Sequence, residues 1–326
     1  MPAPKPPSPE ILRLTTRIAR MYYERGASQL QIAEQLGLSQ ARVSRLLKQA
    51  ESLGIVRITV QLPEGVHADV EQALERRYGL DEIVVVEIPD ADNRNDEQIN
   101  QGLASSVAAY LERTMPALRT VGVSSWSSAL LAAVNVMRPT GTGQTRRVLQ
   151  VLGGVGLANA QVFATRLTER LAHLSGGEAE FLLAPGVVAS PAARQALLSD
   201  PSCRQVIAQF DDLSAVLMGI GVLPPSRMLR ESGNVFTEQD LADLQGAGAV
   251  GDVCMRFFDA QGRHVATPFD ERVLGISTRQ LRATRRRIGV AGGRRKFEGI
   301  RGALRGGWLS TLITDLQTAR RLLADP

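Results

Sequence analysis

Apolar residues near the start of the chain recur at steps of three and four. Ile11, Leu14, Ile18 and Met21 share one face and predict a first amphipathic helix. A second begins near Gln29 and is expected to bury Leu30, Ile32, Ala33 and Leu36. Gly37 stops it, as a residue free to take positive φ would. Ser39 then offers an N-cap to a third helix. Val43, Leu46, Leu47 and Ala50 of that helix face inward, while Gln40, Arg42, Ser44, Arg45 and Lys48 stay outside.

A helix, a tight glycine turn and a second helix with a polar-basic face form the helix-turn-helix arrangement. An ordinary helical hairpin with a charged face is the bland alternative. Against it, Ala33 is small where the helices must cross and Gly37 follows four residues later. The outer face of the third helix suits a DNA major groove. Gln40, Ser44 and Arg45 are the candidate base readers, and Ser39, Arg42 and Lys48 the candidate phosphate contacts.

The pattern then changes. "VRITVQL", Val56 to Leu62, alternates as a strand does. "HADVEQALERRYGL" puts Val70, Ala73, Leu74 and Tyr78 on one helical stripe, either a linker with a subunit contact or a simple connector. From Glu82 onward one unit repeats: a short apolar run, a small-residue turn, a helical pattern. "TVGVSSWSS" leads into "ALLAAVNVM", "VLQVLGGVG" into "NAQVFATRLTERLA", "EFLLAPGVV" into "PAARQALL". "AVLMGIGVL" precedes a helix near Glu238 to Leu244, "RIGVAGG" leads into "KFEGIRGALR", and "TLITD" into "LQTARRLLA". Buried strands alternating with helices predict a doubly wound parallel sheet.

In such sheets the ligand crevice lies beyond the carboxyl ends of the strands. The small residues there let backbone N–H groups approach an anion at helix N-termini. Ser124, Ser125, Ser127 and Ser128 add four hydroxyls at one such end, a cradle for a phosphate or sugar hydroxyls, or else plain helix caps. No GxxxxGK[ST] is present, so this is not a Walker loop. "GGVGLAN" is half a dinucleotide fingerprint without its acidic partner, and no nicotinamide or other cofactor is expected.

Charge sharpens the division. Residues 1–61 carry nine Lys/Arg against four acids, which accounts for the whole net charge of +5 in this 326-residue chain. A basic module on a neutral body points to a polyanion at that end. Cys203 and Cys254 are the only cysteines, which fits a reducing cytoplasm without disulfides. His67, His173 and His264 stand far apart, and no cluster has the spacing of a metal site. No apolar run is long enough for a membrane helix. The Pro-rich "MPAPKPPSPE" reads as a disordered tail, not a secretory signal. The organisation expected is a tail over 1–10, a helix-turn-helix domain over 11–61 and a large α/β domain over 62–326.

The chain resembles the SorC family of bacterial sugar-responsive transcription regulators, also called DeoR-type sugar-binding regulators. The likeness runs from about Leu14 to Ala324. It is carried by "YYERGASQLQIAEQLGLSQARVSRLLKQAESLGIVRITV", "VGVSSWSSALL", "LQVLGGVG", "LLAPGVV", "GIG" at Gly219 to Gly221, "GAVGDVCMRFFDAQG", "VLGIS", "GVAGGRRKFEGIRGALRGG" and "LITDLQTARRLL". The resemblance implies a C-terminal domain with the fold of sugar-phosphate isomerases and glucosamine-phosphate deaminases. It implies a phosphorylated sugar or related metabolite as effector, double-stranded operator DNA as partner, and dimers or tetramers. It places Ser124 to Ser128, Gly153, Gly154, Pro185, Gly186, Asp252 and Lys296 in the effector pocket. Lys296 would counter a phosphate charge and Asp252 would accept sugar hydroxyls. The family often has Trp-Gly after the first serine; this chain has Ser125-Trp126. No lysine for a covalent imine is evident in "LQVLGGVG", so binding is expected to be non-covalent.

Three features keep two readings. The arginine run Arg282, Arg285, Arg286, Arg287, Arg294, Arg295 suits a solvated or intersubunit face better than a second DNA contact. Trp126 is a sugar-stacking ring or a packed one. Cys254 sits in a strand pattern and reads as a small buried hydrophobe. An enzyme with a DNA-binding head is the rival function, since this fold permits chemistry. It would need a positioned base and acid; Asp252 is the one good carboxylate, and His264 lies in a turn-like context.

Overall fold

The computed structural model describes residues 8–56, 66–141, 143–225, 229, 232, 234 and 236–325. Most of the expected strand "VRITVQL" lies outside them. The chain divides into two compact units, 1–63 and 64–326.

The first unit is built from α1 (Pro9–Ala19), α2 (Gln29–Leu36) and α3 (Gln40–Ser52). Ser8 caps α1, so the helix begins within the stretch read as a tail. It runs into a π-helical turn at Arg20–Glu24. Ser28 and Gln31 close a capping box on α2. Ile18, Met21, Ile32, Ala33, Val43, Leu46 and Leu47 form the core. Two expected core residues are not in it: Leu30 is 56% exposed and Ile11 40%. Leu30 is the second residue of α2, where the first turn still points away from the helix crossing.

The second unit carries a seven-stranded sheet: β1 (Glu82–Val86), β2 (Thr120–Val123), β3 (Arg147–Gln150), β4 (Glu178–Glu180), β5 (Ala215–Gly219), β8 (Arg286–Val290) and β9 (Thr311–Asp315). All pairs are parallel, in the order β1-β9-β8-β5-β2-β3-β4. Strand order runs outward one way through β2, β3 and β4 and the other way through β5, β8 and β9, so the switch point lies between β2 and β5. β6 (Ala249–Val253) and β7 (Arg256–Asp259) form a separate antiparallel hairpin.

Helices cover both faces. α5 (Asp96–Thr114), α6 (Ser128–Val136) and α7 (Ala158–Ser175) contribute Leu103, Leu111, Leu130 and Leu167 to one core. The opposite core takes residues from α9 (Pro201–Ala208), α12 (Phe297–Arg305), α13 (Leu316–Ala324) and α4 (Ala68–Tyr78). α4 is therefore no mere connector. Its Glu71 and Glu75 accept the backbone N–H groups of Val85 and Ile83, donors that edge strand β1 would otherwise leave unpaired. α8 (Pro191–Ser199), α10 (Glu238–Gly246) and α11 (Thr278–Ala283) complete the helices used below.

Candidate functional site

In the first unit, Gly37 takes φ 63° and its successor's N–H, on Leu38, returns to the Ala33 carbonyl at 2.9 Å. This left-handed closure ends α2 and turns the chain in two residues. Ser39 then caps α3 through the Arg42 N–H. Gln40, Arg42, Arg45 and Lys48 are exposed and Ser44 half-buried, all clear of the buried Val43–Leu47 face.

In the second unit, an open cavity sits at the switch point. Ser124, Trp126, Ser127 and Ser128 come from the end of β2 and the start of α6; Gly219 ends β5 and Ile220 to Val222 follow it; Arg295 and Lys296 follow β8. The β6–β7 hairpin adds Asp252, Cys254 and Met255. The hairpin is tied to the sheet by reciprocal backbone bonds between Gly221 and Asp252, 2.9 and 3.2 Å. A Cβ on Gly221 would lie 1.9 Å from Asp252 Oδ1, so only glycine admits that carboxylate.

The groups suit a polar, anionic ligand. Ser127 caps α6, accepting the Leu130 N–H, and faces an open helix N-terminus. Ser128 Oγ accepts from Asn100 Nδ2 at 2.9 Å. Burial pushes the Asp252 carboxyl up to about 6, against the pull of the Met255 N–H and the Lys296 charge. Burial pulls Lys296 below the usual lysine value, with Asp96 and Asp252 opposing. Lys296 is the one lysine in residues 49–326, where every other fixed side-chain cation is arginine. A compact ammonium in this place acts as a point charge, where a guanidinium would need room for its fork. At the mouth, Arg295 pairs with Asp96, its Nε 3.1 Å from both carboxylate oxygens.

Of the residues expected in the pocket, Ser124, Ser127, Ser128, Asp252 and Lys296 meet around this cavity. Ser125, Gly153, Gly154, Pro185 and Gly186 do not line it. Ser125 is buried and donates to the Leu152 carbonyl. The two glycines pack against the 184–186 segment so closely that a Cβ on Gly153 would lie 2.4 Å from the Pro185 oxygen. Trp126 combines its two readings: its ring lines the cavity while Nε1 donates to the Gly153 carbonyl at 2.9 Å. Cys254 is buried, with its thiol pushed up to about 12, but it occupies a tight turn and not a strand. Asp96, Gly219 and Arg295 were missed; the matching signal was the helix start at Asn95-Asp96 and the "GIG" and "GGRRK" turns. In the arginine run, Arg282 lies over the Trp308 ring and Arg287 donates to the Thr284 carbonyl. Among the described residues no group of three or more His, Cys, Asp or Glu could hold a metal, and no helix is long and apolar enough to cross a membrane.

Residues 65–324 match the family described as "Putative sugar-binding domain", and residues 15–51 match sigma-70 region 4. The sorbitol operon regulator of Klebsiella pneumoniae is 30% identical to this chain, over 96% of it and 98% of the relative. The chain belongs to the SorC family of transcriptional regulators. A second relative, the deoxyribonucleoside regulator of Bacillus subtilis, is 32% identical over 96% of this chain and 98% of its own. The crystal structure of the full-length sorbitol operon regulator from Klebsiella pneumoniae superposes with a TM-score of 0.71 at 28% identity, covering 97% of this chain and all of that one. These relatives are regulators, not enzymes, and the SorC-family chain is a DNA-binding regulator with a sugar-binding domain.

Proposed function

We propose that a phosphorylated sugar or a close metabolite occupies the cavity and thereby controls operator binding by an even-numbered oligomer in the cytoplasm. One observation carries the ligand class: Lys296 and the α6 N-terminus with its serines border the same cavity as Asp252. The first two suit a phosphate, and the carboxylate suits hydroxyls. The names of the relatives, a sorbitol operon regulator and a deoxyribonucleoside regulator, support a small carbohydrate. Gln40, Ser44 and Arg45 would read base edges, with Ser39, Arg42 and Lys48 on phosphates. Pairing two half-sites about one helical turn apart explains the need for an oligomer.

The effector acts only if it binds the DNA-competent and DNA-free arrangements with different affinity. A coupling of about 1–3 kcal/mol changes operator affinity roughly 5- to 150-fold. The test titrates a panel of sugar phosphates and their unphosphorylated sugars against DNA binding by the purified protein. A phosphorylated member should shift DNA affinity while its free sugar does not. A response to free sugars alone would remove the phosphate from this reading.

A further inference from the structure

We infer that a groove on the outer face of α1 is a second DNA contact, one that holds the phosphate backbone beside the site read by α3. It is lined by Leu12, Arg13, Thr16, Arg17, Arg20, Met21 and Arg25, with Gln35 from α2. Four guanidiniums in one concavity make a strongly positive surface. Arg20 is partly neutralised by Glu24 at 2.9 Å. Arg13, Arg17 and Arg25 have no ion pair among the described residues.

The π-helical turn explains how the fourth arginine arrives. Arg13, Arg17 and Arg20 follow the helical steps of four and three, and an unbroken α-helix would place residue 24, a glutamate, next on that stripe. Here the Arg25 N–H returns to the Arg20 carbonyl at 3.2 Å, spanning five residues. The wider turn delays the stripe by one residue, and Arg25 lines the groove in place of Glu24. Such turns are rare and recur at functional positions.

The groove is fixed to the recognition helix. Tyr23, inside the π turn, donates to Glu51 of α3 at 2.7 Å. Gln35 lies on the last turn of α2, two residues before the Gly37 bend that launches α3. A duplex engaged by α3 thus meets a compact unit that also carries Arg13, Arg17 and Arg25 free of ion pairs in this groove. The occupant is DNA because the partner must be polyanionic and this unit already belongs to a DNA-binding motif. The inference rests on that reading but on different residues.

The test is fluorescence anisotropy of the full-length protein on a duplex of unrelated sequence and on its operator, across a potassium chloride series. Arg13→Gln/Arg17→Gln/Arg25→Gln changes only exposed helical or cap positions and keeps helix formers at the first two. It should lower the salt slope by about 0.9 per lost phosphate contact, roughly 2–3 in total, and weaken both duplexes alike. Single Arg17→Glu should act in the same direction. Arg42→Gln/Arg45→Gln/Lys48→Gln is the contrasting variant and should abolish the preference for operator. An unchanged salt slope in the α1 variants overturns the inference while leaving α3 as the reader. Loss of operator preference without a slope change in the α1 triple variant overturns it equally.

Discussion

The backbone N–H of Met255 donates to Oδ2 of Asp252 at 3.0 Å, from inside a turn that ordinary side chains avoid. Cys254 and Met255 link β6 to β7 with φ of 51° and 62°. Two left-handed residues match the twist of a hairpin, and Asn-Gly usually supplies them. Cys and Met adopt that conformation at a cost of about 1–2 kcal/mol each. Both side chains are buried and both line the cavity, with Cys254 against the Ser124 hydroxyl. The turn thus trades local strain for a fixed carboxylate and two apolar walls beside it.

That carboxylate gives a pH dependence. Its folded-state value of about 6 lies above the ordinary 3.8. Between those values the native state binds the proton more tightly, so stability falls as pH rises through this window and the full penalty holds above pH 6. Two units correspond to about 3 kcal/mol. Asp252→Asn should unfold at higher temperature than wild type at pH 7, with the gap closing toward pH 4. The same variant should bind effector more weakly, and wild-type affinity should drop below pH 6 as the acceptor protonates. Thermal unfolding of both proteins across this range checks the sign; equal stability at pH 7 contradicts the burial cost.

Lys296 separates charge from shape. Lys296→Ala removes a charge-assisted partner, a loss of about 1.5–3 kcal/mol in ligand affinity. Operator binding without ligand should stay normal. Lys296→Arg keeps the charge, yet beside Asp96, Arg295 and Asp252 it replaces a compact point charge on a flexible stem with a planar fork of different reach. It should restore little of the response. Operator affinity measured against sugar-phosphate concentration decides this, and a full response in Lys296→Ala would exclude the lysine from the site.

The two tryptophans form an internal control. Trp126 borders the cavity, whereas Trp308 is fully buried against Phe258 with Nε1 donating to the Gly262 carbonyl. Effector binding should change the intrinsic emission in wild type and in Trp308→Phe, and leave it flat in Trp126→Phe. Trp126→Phe should also lose about 1 kcal/mol with its bond to Gly153. A retained signal in Trp126→Phe would move the ligand elsewhere.

Legibility followed the range of the interactions. The strands "TVGV", "AVLMG" and "TLITD" are continuous apolar runs bounded by small residues, and local pattern is enough to find them. "EFLLAPGVV", residues 180–188, has the same pattern, yet the strand there is Glu178–Glu180 and takes in only the first residue of the run. The residues after it bridge Gly154 and Val273 instead, contacts that depend on distant chain. "GAVGDVCMRFFD" also reads as one strand, because nothing in Cys-Met announces a turn; only the hairpin pairing enforces it. In the site, Asp252 and Lys296 came from the family resemblance, and their apolar and glycine-rich contexts agreed with it. Asp96 did not, since an acid at a helix start is common, and its role depends on Arg295 meeting it across about two hundred residues of sequence.

Gly37 connects the sequence pattern to DNA binding most directly. A Cβ there would meet nothing within 4 Å, so substitution changes only the backbone preference. The left-handed conformation costs an alanine about 1–2 kcal/mol, and asparagine, which tolerates it, less. The Schellman closure from Leu38 to Ala33 depends on this conformation, and so does the angle at which Ser39 starts α3. Gly37→Ala should therefore loosen α2 and α3 without touching a DNA-facing side chain. Amide exchange of these helices in the full chain should speed up by roughly 5- to 30-fold in Gly37→Ala, with Gly37→Asn between it and wild type. Operator affinity should fall in the same order, because a helix that must first be re-formed binds in proportion to its folded fraction. Exchange as slow in Gly37→Ala as in wild type would show that the turn does not require a left-handed residue.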